Sequence, residues 1–134
     1  MFLDKDSNNE PMKITINDKR KIFAIQEEFN SVFPYLKLEF HAKPNKQSGA
    51  SSKKTVKGGN ITLGDCRNEH NKGKITITPE MTVADLDQRF RDVYGLEARV
   101  LRKSGKLWLE TTVTEGWTLE EQNKQGEALS KGGK

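Results

Sequence analysis

The sequence predicts an α+β domain built from two tandem β-α-β units with one further strand and helix at the C-terminal end. Three observations lead there. One segment recurs without a gap, and in both copies the apolar residues switch from alternation to helical spacing at the same place. Apolar residues are also scarce, 33% against 31% charged, so their placement marks the buried faces of a thin core. A length of 134 residues suits a single domain.

The repeat pairs Lys13–Phe33 with Lys74–Tyr94. Lys13-Ile14-Thr15-Ile16 matches Lys74-Ile75-Thr76-Ile77, and the alternation in each predicts a strand with one buried face. Next, Ile22, Ile25, Phe29, Val32 and Phe33 align with Val83, Leu86, Phe90, Val93 and Tyr94, a spacing that predicts one apolar helical stripe per copy. After a one-residue slip, Leu36, Leu38 and Phe40 correspond to Leu96, Ala98 and Val100, which predicts a second strand in each. Asp18 is the expected N-cap of the first helix, and Thr82 with Asp85 the capping box of the second, which Gly95 ends. Ser104-Gly105 turns the chain into a strand at 106–112, and Thr118 with Glu121 opens a last helix at 118–130, with the stripe Leu119, Gln122, Gly126 and Leu129. The expected organisation is a flexible segment 1–12 and one domain at 13–131, with repeats 13–42 and 74–103 joined by a mobile loop at 43–60. Two such units in tandem resemble the ferredoxin-like sandwich, an antiparallel sheet with both helices on one face.

The stretch from Ile75 to Gly126, above all LWLETTVTEGWTLEEQNKQG, resembles small uncharacterised conserved proteins of Bacteroidetes-type bacteria. The resemblance implies a bacterial origin and brings no activity, cofactor or partner with it.

Met1–Pro11 carries Asp4, Asp6 and Glu10 and has neither the basic nor the apolar region of a signal peptide. No apolar run approaches the ~20 residues of a membrane span. The lone Cys66 allows no internal disulfide, so the expected compartment is the cytoplasm and no membrane partner is expected. The net charge of +4 is concentrated in one place: Lys43, Lys46, Lys53, Lys54 and Lys57 lie in an acid-free stretch, leaving −1 for the rest of the chain.

Little of the sequence announces catalysis. Cys66 and His70 stand four apart within DCRNEH, but they supply only two of the four ligands a zinc site needs, with His41 and acids distant, and a nucleophile pair needs a stabilised thiolate. Gly58-Gly59 and Gly132-Gly133 lack the spacing of phosphate-cradling loops, so no metal or cofactor is expected. Glu27, Glu28, Asp85, Asp87, Asp92, Glu120 and Glu121 lie among basic neighbours, as on solvated helix faces. Base-stacking aromatics are missing from the outward positions Lys13, Thr15, Lys74 and Thr76, which argues against an RNA-recognition platform.

Two surfaces remain. If Leu36, Leu38 and Phe40 face the helices, then Lys37, Glu39, His41, Glu97, Arg99 and Leu101 face outward, with Trp108 beside them when Leu107 and Leu109 point inward. The expected function is therefore non-enzymatic binding of a protein partner, or self-association, through Lys37, Glu39, His41, Arg99 and Trp108. The alternative is sequence-independent nucleic-acid binding through Lys43, Lys46, Lys53, Lys54 and Lys57. An enzyme centred on Cys66 and His70 is the third reading.

Overall fold

The computed structural model describes residues 11–42, 54–55 and 61–131. Among them the chain forms a mixed α+β fold with two antiparallel sheets and three helices: β1 (Met12–Ile16), α1 (Ile22–Val32), β2 (Leu36–Ala42), β3 (Lys54–Thr55), a 3-10 turn (Leu63–Cys66), β4 (Gly73–Ile77), α2 (Val83–Tyr94), β5 (Glu97–Ser104), β6 (Leu107–Glu110) and α3 (Leu119–Lys131). One sheet is the pair β1-β4; the other has the order β3-β2-β5-β6. No described helix is long and apolar enough to cross a membrane. Apart from Lys54 and Thr55, the lysine-rich stretch 43–60 lies outside the described residues, as does 1–10.

Like pairs with like across the two repeats. In the smaller sheet Ile14 stands opposite Ile75, its own counterpart in the sequence repeat. In the larger sheet Glu39 stands opposite Arg99, again counterparts, so that Leu38 meets Val100 and Phe40 meets Ala98. Each ladder is thus locally two-fold. The chain leading into each helix is tied in the same way: Ile22 N donates to Ile61 O (2.9 Å) and Leu63 N to Arg20 O (2.9 Å), while Val83 N donates to Trp117 O (3.2 Å) and Leu119 N to Met81 O (2.8 Å). Isolated bridges Lys21–Thr62 and Thr82–Thr118 complete the correspondence. Both bridging segments, Ile61-Thr62-Leu63-Gly64-Asp65 and Trp117-Thr118-Leu119-Glu120-Glu121, carry a capping box, with Asp65 and Glu121 returning to Thr62 N and Thr118 N at 3.0 Å each.

This pairing differs from the expected single ferredoxin-like sheet. That order would set the first strand of one unit beside the second strand of the other. β1 and β4 pair with each other, as that order also has it, but both edges of β2 are taken, by β3 and β5, so the second strands of the two units pair with each other in a separate sheet. α1 and α2 therefore each link strands of different sheets, and the handedness rule for crossovers within one sheet has nothing to act on.

The core lies where the sheets and helices meet. Ile14, Ile16, Ile75 and Ile77 join Leu36, Leu38, Phe40, Leu96, Ala98 and Val100 in one buried cluster with Ile25, Phe29, Leu86 and Phe90. Phe40 packs edge-on against Phe90 with centroids 5.6 Å apart, joining β2 of the first repeat to α2 of the second. Val32 and Val93, placed on the stripes by spacing, are both 45% exposed. Phe33 and Tyr94, one full turn beyond Phe29 and Phe90, close the stripe in their place.

Asp18 does not cap α1. The N-cap is Lys21, without a side-chain cap, and the carbonyl of Ile61 receives the Ile22 N–H. Thr82 does cap α2, accepting from Asp85 N at 3.1 Å, and Gly95 ends it in the left-handed region at φ 64°. The weakly apolar stripe of α3 has a packing explanation. Gln122 is fully buried, donating to Thr114 O (2.7 Å) and accepting from Arg102 (2.9 Å), and a Cβ on Gly126 would meet the Tyr35 Cβ at 2.8 Å.

The equivalent burial of Phe29 and Phe90 sets the first prediction. Phe29→Ala and Phe90→Ala should each destabilise the domain by ~3–5 kcal/mol in denaturant unfolding, against less than ~1 kcal/mol for Val32→Ala or Val93→Ala. Comparable losses at all four positions would contradict the packing described.

Candidate functional site

Opposed residues of an antiparallel pair project from the same face, so the registers of β2, β5 and β6 define the outer surface of the larger sheet. Lys37 is opposite Leu101, Glu39 opposite Arg99, His41 opposite Glu97, and Lys103 opposite Trp108. Lys37, Glu39, His41, Arg99 and Trp108 therefore share one face. At one end the half-buried Trp108 ring lies between two ammonium groups, Lys37 Nζ at 5.8 Å and Lys103 Nζ at 6.0 Å from its centroid. The other end is a charge network: Glu97 lies 3.6 Å from Arg91 and 3.8 Å from Arg99, and His41 Nε2 lies 3.6 Å from Glu39.

Beside that network α2 contributes Asp87, in a cleft with Arg91, Arg99, Thr112 and Glu115. Burial pushes the Asp87 carboxyl up to about 7, against the opposing pull of Arg99 and Arg91, and Glu115 and Glu97 add to the rise. The charge pattern around Asp87 predicts a solvated helix face, but its Oδ1 is buried without a hydrogen-bond partner among the described residues.

Leu107 and Leu109 project from the opposite side of β6 to Trp108, yet they are 65% and 41% exposed, where burial was expected. The reason is that α3 closes on β5 instead. Arg102, opposite Leu109, donates to Gln122 and lies 5.6 Å from the ring centroid of Trp117. Trp117 is thus engaged on the far side of the sheet from Trp108 and does not cover it.

A second polar array, unexpected from the sequence, joins the chain before α1 to the segment before β4 and to the end of α2. Arg67, whose side chain is fully buried, donates through Nε (3.1 Å) and Nη2 (2.8 Å) to Asp18 Oδ1 and through Nη1 to Tyr94 O (2.8 Å). The other oxygen of Asp18 lies 2.6 Å from His70 Nδ1. Partial burial raises the Asp18 carboxyl, but hydrogen bonds from Arg67 and His70 outweigh it and hold the group below its ordinary value. His70 is itself exposed, on a cleft of about 670 Å³ whose walls include Lys19, Lys21, Phe23 and Lys72.

Cys66 and His70 make no pair. Cys66 Sγ donates to Thr62 O at 3.4 Å, while His70 is held by Asp18. Burial, reinforced by Asp65, pushes the Cys66 thiol up to about 11, so at neutral pH it is no nucleophile. No group of three or more His, Cys, Asp or Glu able to hold a metal occurs among the described residues. Lys43, Lys46, Lys53 and Lys57 lie outside those residues, and Lys54 contributes its backbone to β3, paired with Ala42. No protein-family model, curated protein or solved structure matches the chain.

Two measurements check these assignments. Because the folded chain favours protonated Asp87, that group's contribution to stability is complete below its ordinary value of 3.8 and is lost as the pH rises through about 7. Asp87→Asn should therefore be more stable than the parent at pH 8, by at most ~4 kcal/mol, and the advantage should shrink toward pH 4. An advantage independent of pH would refute the assignment. For the thiol, modification of Cys66 by a maleimide at pH 7 should be at least ~100-fold slower in the native protein than in the denatured chain; equal rates would place Cys66 at the surface.

Proposed function

We propose that this domain is a non-enzymatic interaction module that associates through the outer face and free edge of the β3-β2-β5-β6 sheet. The observation that carries the reading is β6 itself. Three consecutive large apolar residues, Leu107, Trp108 and Leu109, sit on an edge strand whose outer side pairs with no strand among the described residues. Proteins ordinarily blunt such an edge with charge, proline or a covering segment, and a bare one serves as a template for strand addition.

The first occupant we assign is a second copy of the chain. An antiparallel pairing of two β6 strands centred on Trp108 sets Leu107 against Leu109 of the other copy. It also sets Lys106 against the other copy's Glu110, so its ends are complementary in charge. Lys37 and Lys103 flank the Trp108 rings and keep part of the joint hydrated.

Light scattering after size exclusion tests this reading. The parent should associate at tens of micromolar, and Trp108→Glu should lower association at least ~10-fold while leaving the melting temperature within ~3 °C. A parent that stays monomeric to millimolar concentration counts against the second copy as occupant. Unchanged association in Trp108→Glu counts against the edge altogether.

A further inference from the structure

The Asp18–Arg67–His70 array goes beyond what the fold requires, as the second repeat demonstrates. Its counterpart of Asp18 is Pro79, and the backbone work is the same in both: Gly64 N donates to Asp18 O at 3.1 Å and Glu120 N to Pro79 O at 3.0 Å. Aligning the two capping boxes puts Asn123 in the place of Arg67. Asn123 already performs a tie to the opposite repeat, accepting from Tyr35 N at 2.8 Å, as Arg67 does through Tyr94 O. A neutral amide thus suffices for the tie. Arg67 adds a buried charge, and the only described acid to which it hydrogen-bonds is Asp18.

The walls of the cleft differ between repeats in the same sense. Lys19, Lys21 and Phe23 of the first repeat stand where the second has Glu80, Thr82 and Ala84. Three cationic residues, Lys19, Lys21 and Lys72, line the cleft and make no ion pair among the described residues, whereas Arg20 in the same wall is paired with Glu28. With Nδ1 committed to Asp18, Nε2 is the atom His70 leaves for a ligand. Phe23, 43% exposed, supplies an apolar surface beside these charges. A volume of about 670 Å³ is that of a small-molecule site.

We propose that this cleft binds an organic phosphomonoester, with the phosphate held by the ammonium groups of Lys19, Lys21 and Lys72 and accepting from Nε2–H of the doubly protonated His70 ring, whose Nδ1–H donates to Asp18, and the organic part lying on Phe23. A dianion matches this density of cations, where a monocarboxylate would leave most of it unmatched. Asp18 and Arg67 act as positioning residues: the buried guanidinium fixes the carboxylate, and the carboxylate fixes the imidazole. The site is independent of β6, so its test and that of self-association stand apart.

The test is a titration at constant ionic strength with phenyl phosphate, inorganic phosphate and benzoate, followed through the His70 imidazole and Phe23 ring resonances. Phenyl phosphate should shift both saturably, inorganic phosphate should shift His70 more weakly, and benzoate should do neither below ten times the phenyl phosphate Kd. His70→Ala and Lys72→Glu, both at exposed positions, should weaken phenyl phosphate at least ~10-fold with amide spectra otherwise unchanged. Phe23→Ala should reduce phenyl phosphate to the affinity of inorganic phosphate and leave inorganic phosphate unaffected. Non-saturable shifts, equal response to benzoate, or full affinity in Lys72→Glu would each overturn the proposal.

Discussion

The pairing of each strand with its own counterpart is the constraint on which the rest of this molecule depends. With Ile14 facing Ile75, Glu39 facing Arg99, and β3 and β6 on the outer edges of the β2-β5 pair, the strands of each β-α-β unit stand in two different sheets. α1 and α2 span from one sheet to the other, and their apolar stripes then meet strands of both. Phe40 against Phe90 is the clearest product, a contact between repeats at a fully buried position. The bridging segments at Ile61 and Trp117 follow from the same arrangement, since each helix start exposes N–H groups that the passing chain satisfies.

Local structure was legible in the sequence to the extent that it depends on local chemistry. Alternation at Ile14 and Ile16, the helical spacing through Phe29 and Phe90, the Thr82 cap and the Gly95 stop all reflect backbone preferences that act over a few residues. Apart from the hairpin that Ser104-Gly105 makes between β5 and β6, strand partners were not legible, because a β-strand pattern specifies which face is buried and says nothing about which edge is joined. A further repeat signal lies beyond the second strand. Thr62-Leu63-Gly64-Asp65 and Thr118-Leu119-Glu120-Glu121 share a Thr-Leu-x-acid pattern, and their equivalence would have extended the repeat beyond the second strand.

The two surfaces differ in the same respect. The outer sheet face follows from alternation alone once Leu36, Leu38 and Phe40 are taken as buried, which is why its residues could be named from sequence. The cleft could not. Asp18 precedes an apolar stripe, where an acid is usually a cap, and its actual partners lie 49 and 52 residues away. Cys66, the residue that drew attention in that neighbourhood, is a packed thiol, and the chemistry belongs to its neighbour Arg67.

The opposed pair at the centre of the larger ladder has a consequence for assembly. A strand that joins its counterpart about a two-fold axis is self-complementary, so either half of this chain carries the surfaces needed to pair with an identical half. Glu39 and Arg99 break that degeneracy. Two first halves would set Glu39 against Glu39 at the axis, and two second halves would set Arg99 against Arg99, both repulsive, whereas the intact chain sets acid against base. The sign of one residue in each half therefore disfavours pairing between like halves of two chains and reserves each half for an unlike one.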